Sequence, residues 1–398
     1  MIKRILLYIL IIILIVFSFT YFNQKKINDK NTIIFWTLQL GTFDKYINNI
    51  ISEFEKENPE YKVKWIDIPY AEGEKRTLAA ILTDNPPDLV NLTPDFSLLL
   101  AQKNALYNIE KENLGQFLPS LIESLKYNNK YFGIPFYATS AITLRNNELS
   151  TKTIKTYDEL FKIKQMNNSY TTMINFAEND TLLKLLNKYN INSTKDIDSE
   201  KSIYLFNQFK KMYENGSIPK ESITQTHRDA LEKYMSGQLA YLVTGANFLN
   251  MIKENAPSIY KKTQILPQLV GDTNAYDFSL MNFIIPLKAK NKDGALKFAL
   301  YFTNTENQLE FAKLTPILPA NKYTLENNYF KNTDNNDLES KARTTSANQL
   351  NNLQKPLMNI KNKKELNTLS ANYIQEILIN NADIKTTLEK FAQDWEKL

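Results

Sequence analysis

The chain has 398 residues, a formal net charge of +5, no cysteine, one histidine and nine glycines. Its length is two to three times a typical domain of roughly 150 residues, so more than one domain is expected. The 43% apolar and 23% charged composition is that of a folded globular chain. Without cysteine there are no disulfides, thiol catalysis, Cys-ligated zinc or iron–sulfur clusters, and a single His227 excludes HExxH and multi-histidine metal sites. No two glycines stand closer than Gly237 and Gly245, which rules out GxGxxG, GxxxxGK[ST] and GxSxG.

Ile5 to Phe22 is an uncharged run of 18 residues preceded by Lys3 and Arg4. As a helix it would span roughly 27 Å, enough for a bilayer core. The run ends in Phe19, Thr20, Tyr21 and Phe22 without a small-x-small site, so residues 1–30 are expected to be an uncleaved membrane anchor, with a cleaved signal as the alternative. Lys3, Arg4, Lys25, Lys26 and Lys30 against Asp29 place +4 of the charge in this segment, leaving the remainder almost neutral. With no run of five basic residues, nucleic acid is not an expected partner.

From Asn31 the pattern alternates. Thr32 to Leu38 reads as a buried strand, and Thr42 as the cap of a helix whose apolar residues Phe43, Ile47, Ile50, Ile51 and Phe54 fall at helical spacing. Tyr61, Val63 and Trp65 alternate as a strand through Ile68, residues 71–84 read as a helix, and Asp88 to Leu92 as a short strand. Such a β-α-β-α-β order implies a parallel, doubly wound sheet with ligands beyond the carboxyl ends of its strands. A helix over 95–103 is expected, with Thr93 or Asp95 supplying its cap.

Residues 126–145 read as a hairpin with an extended exit around the Asn128–Asn129 turn. Thr156 and Glu159 form a capping box, Tyr170 to Phe176 reads as a strand, and helices are expected at 180–189, 199–214 and Arg228 to Ser236. Leu239 to Val243, Thr263 to Leu266 and Ile284 to Leu287 read as strands, with Asn247 as a possible cap. Residues 292–313 read as helical, 325–346 as a polar, Asn-rich loop or linker, and 369–380 and 383–397 as amphipathic helices.

Several blocks in this order resemble family 1 of the extracellular solute-binding proteins of ABC importers, the maltose-binding-protein-like group. They are FEKENPEYKV with KRTLAAILTDNPPDLV, then NNKYFGIPFYATSAITLRNNEL, TYDELFKI, YMSGQLAYLVTGANF, and KNKDGALKFALYFTNTENQLEFAKLTPILPA. The resemblance runs over residues 32–398. Departures are Arg145 where the family often has Tyr, no Gly-Gly pair near Phe278–Ser279, and no lipid-bearing cysteine. The fold implied is α/β and periplasmic-binding-protein-like, with two lobes that are each a doubly wound sheet flanked by helices. By this resemblance residues 31–137 and 282–318 form lobe 1, and 141–278 and 322–398 form lobe 2, with ligand in the cleft between them.

The implied function is an exported, membrane-tethered receptor that captures a sugar or oligosaccharide and delivers it to an ABC permease, without catalysis, cofactor or metal and as a monomer. A non-sugar solute such as a phosphosugar or polyamine, or a membrane-anchored scaffold or adhesion protein, are the alternatives. Sugar capture needs flat apolar faces for ring CH groups and fixed hydrogen-bond partners for hydroxyls. On that chemistry the expected contacts are Trp36 and Gln39 after the first strand, Tyr70 after the second, Asp95 after the third and Asn247 in the second lobe; the resemblance implies Tyr137 and Thr139 at the first crossing, Phe248 as an aromatic platform in the second lobe, and Phe278 at the return crossing. Arg145 is expected at a salt bridge or against an anion, and His227 as a surface residue at a helix start. The carboxylate pairs Asp158–Glu159 and Asp196–Asp198 are read as structural.

Overall fold

The computed structural model describes residues 31–163, 168–178, 180–334, 337–354 and 362–398. The chain divides into two compact units. Unit 1 holds the described residues through Tyr137 with Leu280–Phe311 and Pro319–Thr324, and unit 2 holds Ala138–Ser279, Ala312–Leu318 and Leu325–Leu398. Each unit is therefore assembled from segments far apart in sequence.

In unit 1, β1 (Thr32–Leu38) pairs in parallel with β2 (Lys62–Ile68) and with β3 (Leu89–Leu92), while β9 (Phe278–Ile284) runs antiparallel to β3 with Val90 opposite Ile284. The helices Asp44–Glu57 and Gly73–Ile81 are the crossovers that parallel pairing requires. Ile47, Ile50, Ile51 and Phe54 form the buried stripe of the first. An aromatic core fills this unit: Phe35 meets Phe283 and Phe298 edge to face at 5.5 and 5.2 Å, and Phe136 stacks on Phe283 at 4.5 Å. Such pairs add about 0.5–1.5 kcal/mol each beyond the area they bury.

A small hairpin, β4 (Lys126–Tyr127) and β5 (Lys130–Tyr131), turns through Asn128 and Asn129 at φ 47° and 61°. Two successive left-handed residues define the turn that matches strand twist, and asparagine tolerates that conformation best after glycine. The long strand β6 (Ile134–Asn146) then carries the chain into unit 2.

In unit 2 the second half of β6 lies between two antiparallel neighbours, β7 (Tyr241–Gly245) and β8 (Thr263–Pro267). The helices Thr181–Lys188, Glu200–Glu214, Lys363–Ile379 and Ile384–Glu396 pack into one apolar cluster around Phe206, Phe209, Ile374 and Phe391. The Thr156–Glu159 capping box opens the helix Tyr157–Phe161, and Gly216 and Gly237 take φ 75° past the ends of two helices.

Several sequence expectations are corrected. Tyr170 to Phe176 is not a strand: Tyr170 alone bridges Leu239, and the amides of Thr171 and Phe176 donate instead to the loop carbonyls of Ser217 and Ser222. The third late strand ends at Ile284 rather than spanning Ile284 to Leu287, since Pro286 brings no amide to a ladder. Residues 325–346 are largely helical, with Asn328–Lys331 and Leu338–Gln349. The latter misreads as a linker because its buried face is polar, carrying Ser340, Thr344, Ser346 and Gln349. Thr42 and Asn247 lie inside short 3₁₀ turns, and neither they nor Thr93 makes a side-chain cap bond. Among the described residues no helix is long and apolar enough to cross a membrane. The expected anchor, residues 1–30, lies outside the described residues.

Candidate functional site

Parallel pairing of β1, β2 and β3 brings their carboxyl ends to one edge of unit 1, and four of the expected contacts follow from that edge. Trp36 is half-buried, and its indole Nε1 is buried without a hydrogen-bond partner among the described residues. Gln39 is exposed at φ 55°, in a loop pinned by Asp67, whose carboxylate accepts from Thr37 Oγ1 (2.6 Å) and from the amides of Leu40 and Gly41 (2.9 and 2.8 Å). Tyr70 is 54% exposed, and Asp95 is exposed in the first turn of the helix Pro94–Gln102. Tyr137, on β6, is half-buried edge-on to Phe136 at 4.8 Å. Burial, with a smaller contribution from Tyr70, pushes its hydroxyl up to about 12, so it is a neutral donor at physiological pH.

Unit 2 contains a cavity of about 760 Å³. Thr139, Asn247, Phe248 and Phe278, expected from sequence, all line it. Gly245 lies against Asn247, whose side-chain oxygen occupies the space a Cβ would take. Among the other lining residues, sequence reading missed Lys188 and Asp277, Asn175, the Tyr329–Arg343 pair and Ser346.

Lys188 lies 2.8 Å from Asp277 and 3.3 Å from Gln268 Oε1. Gln268 Oε1 accepts from the Asp277 amide, and its own amide donates to Gln349 Oε1, both at 2.7 Å. Gln349 Nε2 donates to Ser140 Oγ at 2.7 Å, and Ser140 Oγ donates to the Asp277 carbonyl at 3.1 Å. Five segments are tied together by this network, which neutralises the buried lysine. Burial nevertheless holds Lys188 below its ordinary range, with Asp277 acting against the shift, and burial raises the neighbouring Tyr157 phenol.

The Arg343 guanidinium stacks over Tyr329 at 3.9 Å and donates to the Tyr329 carbonyl at 2.7 Å. Ser346, on the same wall, is 3% exposed, and its Oγ has no hydrogen-bond partner among the described residues. The wall thus offers aromatic faces, fixed amides and hydroxyls, and paired charges. Among the described residues, no three His, Asp or Glu side chains gather as a metal site.

Two expectations change. Among the described residues Arg145 makes no salt bridge: it is 7% exposed, donating to Asn147 Oδ1, the Thr151 carbonyl (2.8 Å), Thr153 Oγ1 and Gln264 Oε1. His227 is not a plain surface residue but part of the cavity wall.

A two-unit α/β chain with a polar and aromatic cavity has a place suited to holding a small ligand. The chain is a member of the bacterial extracellular solute-binding protein family, whose profile matches residues 49–336. Membership indicates an exported, solute-binding component of ABC transporters, and the family and its structural neighbours are binding proteins rather than enzymes. A multiple sugar-binding protein of Streptococcus mutans is 28% identical over 151 residues, 36% of this chain and 32% of that one; the match therefore spans about a third of that relative's length. A Synechococcus sp. MITs9220 protein assigned as an oligosaccharide periplasmic-binding protein is 26% identical, with a TM-score of 0.79 over 92% of this chain and 98% of its own. The fold is shared with the maltose-binding protein MalE of Listeria monocytogenes, at 20% identity and a TM-score of 0.74 over 93% and 98% of the two chains. The periplasmic-binding-protein-like fold implied by the sequence is thereby found.

Proposed function

We propose that this chain binds a neutral sugar or oligosaccharide in the unit 2 cavity and delivers it to an ABC permease. The single observation that carries the reading is the cavity wall, where the rings of Phe248, Phe278 and Tyr329 stand beside hydrogen-bonding Thr139, Asn247 and Ser346. Ring faces cover the CH faces of a pyranose, and fixed donors and acceptors match its hydroxyls. The names of the Streptococcus mutans relative and of the Synechococcus neighbour support a carbohydrate. Pairing of Lys188 with Asp277 favours a neutral ligand over a phosphosugar or polyamine. Trp36, Gln39, Tyr70, Asp95 and Tyr137 are proposed as ligand contacts of unit 1 on the same chemistry.

Calorimetric and thermal-shift titration of the full chain against maltotriose, maltose, phosphosugars and polyamines tests this. A neutral sugar should raise the melting temperature as its concentration passes Kd; stabilisation by the charged solutes alone overturns the carbohydrate reading. For residues 1–30 we propose an uncleaved anchor. Intact mass of the membrane-extracted protein checks it, since a cleaved signal would remove the apolar run.

A further inference from the structure

His227 is the only histidine of the chain, and it stands at the start of the helix His227–Met235 with its ring on the cavity wall. Nε2 is 2.9 Å from Thr244 Oγ1 on β7, and the ring meets Phe248 edge to face at 5.4 Å. Its backbone amide donates to Glu178 Oε2 at 2.6 Å. The turn before it is fixed by Asn175 Nδ2, which donates to the carbonyls of Gln225 (3.1 Å) and Thr226 (2.7 Å). Three cavity-lining residues, Glu178, Thr244 and Phe248, therefore contact this histidine, and a fourth, Asn175, fixes the turn before it.

We propose that His227 is a positioning residue for ligand capture: its neutral imidazole, bonded to Thr244, holds the Phe248 ring in place, so solute affinity falls as the imidazole protonates. This deepens the carbohydrate reading and rests on it for the identity of the ligand.

The argument is one of charge and contact. Protonation would place a full charge on a ring that packs against Phe248 and bonds the neutral Thr244 hydroxyl, where it is partly withdrawn from water. Burial already holds His227 below the ordinary histidine range, and Glu178 acts in the opposite direction. Glu178 is the charged group that faces it from the neighbouring loop, while Thr244 and Phe248 bring no charge. On its own helix, Arg228 pairs with Glu232 and Asp229 caps Thr226. A ligand filling the cavity desolvates the ring further, so binding opposes protonation, and affinity weakens by up to about tenfold per pH unit below the free-protein pKa.

The experiment follows the one histidine signal by NMR from pH 8 to pH 4.5 in the full chain, alongside ring signals of labelled Phe248. The expected result is a histidine titration below the ordinary range, with Phe248 shifting at the same midpoint and the midpoint rising in Phe248→Ala. A Phe248 signal indifferent to that titration overturns the proposal. Maltotriose is the ligand probe. It should bind more weakly at pH 5 than at pH 8, and His227→Gln, which stays neutral, should flatten the profile. A profile unchanged in His227→Gln overturns the positioning role. No maltotriose binding at pH 8 counts against the carbohydrate reading, while the histidine–phenylalanine coupling is still decided by NMR.

Discussion

Lys188 and Asp277 form an ion pair at 2.8 Å in which the lysine side chain is 2% exposed and the aspartate 18%. One comes from the end of a helix and the other precedes β9, so the pair joins elements nearly ninety positions apart. Removing one partner of a buried pair costs on the order of 3–5 kcal/mol, because the other charge is left uncompensated. Asp277→Asn should be the worse of the two single changes, since it strands the more deeply buried charge. Lys188 is held below its ordinary range, so the folded chain binds fewer protons than the unfolded one between the two pKa values. The stability of Asp277→Asn should therefore recover as pH rises toward the unfolded lysine value of about 10.4. Denaturant melts at pH 7 and pH 9.5 check this, and a deficit that grows with pH contradicts it.

Phe248 and Phe278 are half-buried on the cavity wall, and Trp36 is half-buried at the end of β1. Each change to alanine should weaken sugar binding about tenfold, the loss of an aromatic contact of about 1–1.5 kcal/mol. Titration calorimetry reads the affinity and circular dichroism the fold. Collapse of the fold in place of an affinity loss would assign that ring to the core.

Arg145 spends its guanidinium on four side-chain and carbonyl acceptors rather than on a carboxylate. Lysine carries a compact ammonium with three rotatable donors where arginine presents a planar five-donor fork. Arg145→Lys should cost about 2 kcal/mol of stability through acceptors left unmet in a buried site, with ligand affinity unchanged. A thermal melt and a binding isotherm together test this; altered affinity at constant stability would return Arg145 to the binding site.

Asp67 fastens the loop after β1 through Thr37 and two backbone amides, and Trp65 Nε1 donates to the same Thr37 hydroxyl at 2.8 Å. Asp67→Ala should lower stability by about 2–3 kcal/mol and quicken hydrogen exchange at Leu40 and Gly41. Unchanged exchange there would mean the loop is held by other contacts.

How much was legible beforehand can be argued from particular segments. The β1–helix–β2–helix–β3 run was readable because its apolar residues switch cleanly between periods of two and 3.6. Both capping-box residues, Thr156 and Glu159, and the Asn128–Asn129 turn were equally plain, since their side chains act on their own backbone. Leu338–Gln349 was not legible, because a helix that turns serines, threonines and a glutamine inward has no apolar stripe to betray it.

The sequence alone determined the exclusions, the order of elements and the resemblance, since these depend on residue types and short spacings. It also named Thr139, in the middle of β6, and Asn247, Phe248 and Phe278, which fall at strand ends or turns. Tertiary structure decided which side chains share the cavity. Lys188 meets Asp277, and His227 meets Thr244 and Phe248, only after the β6, β7 and β8 ladders have fixed their register. Long-range pairing of buried charges and rings is a property of packing, and no local period in the chain encodes it.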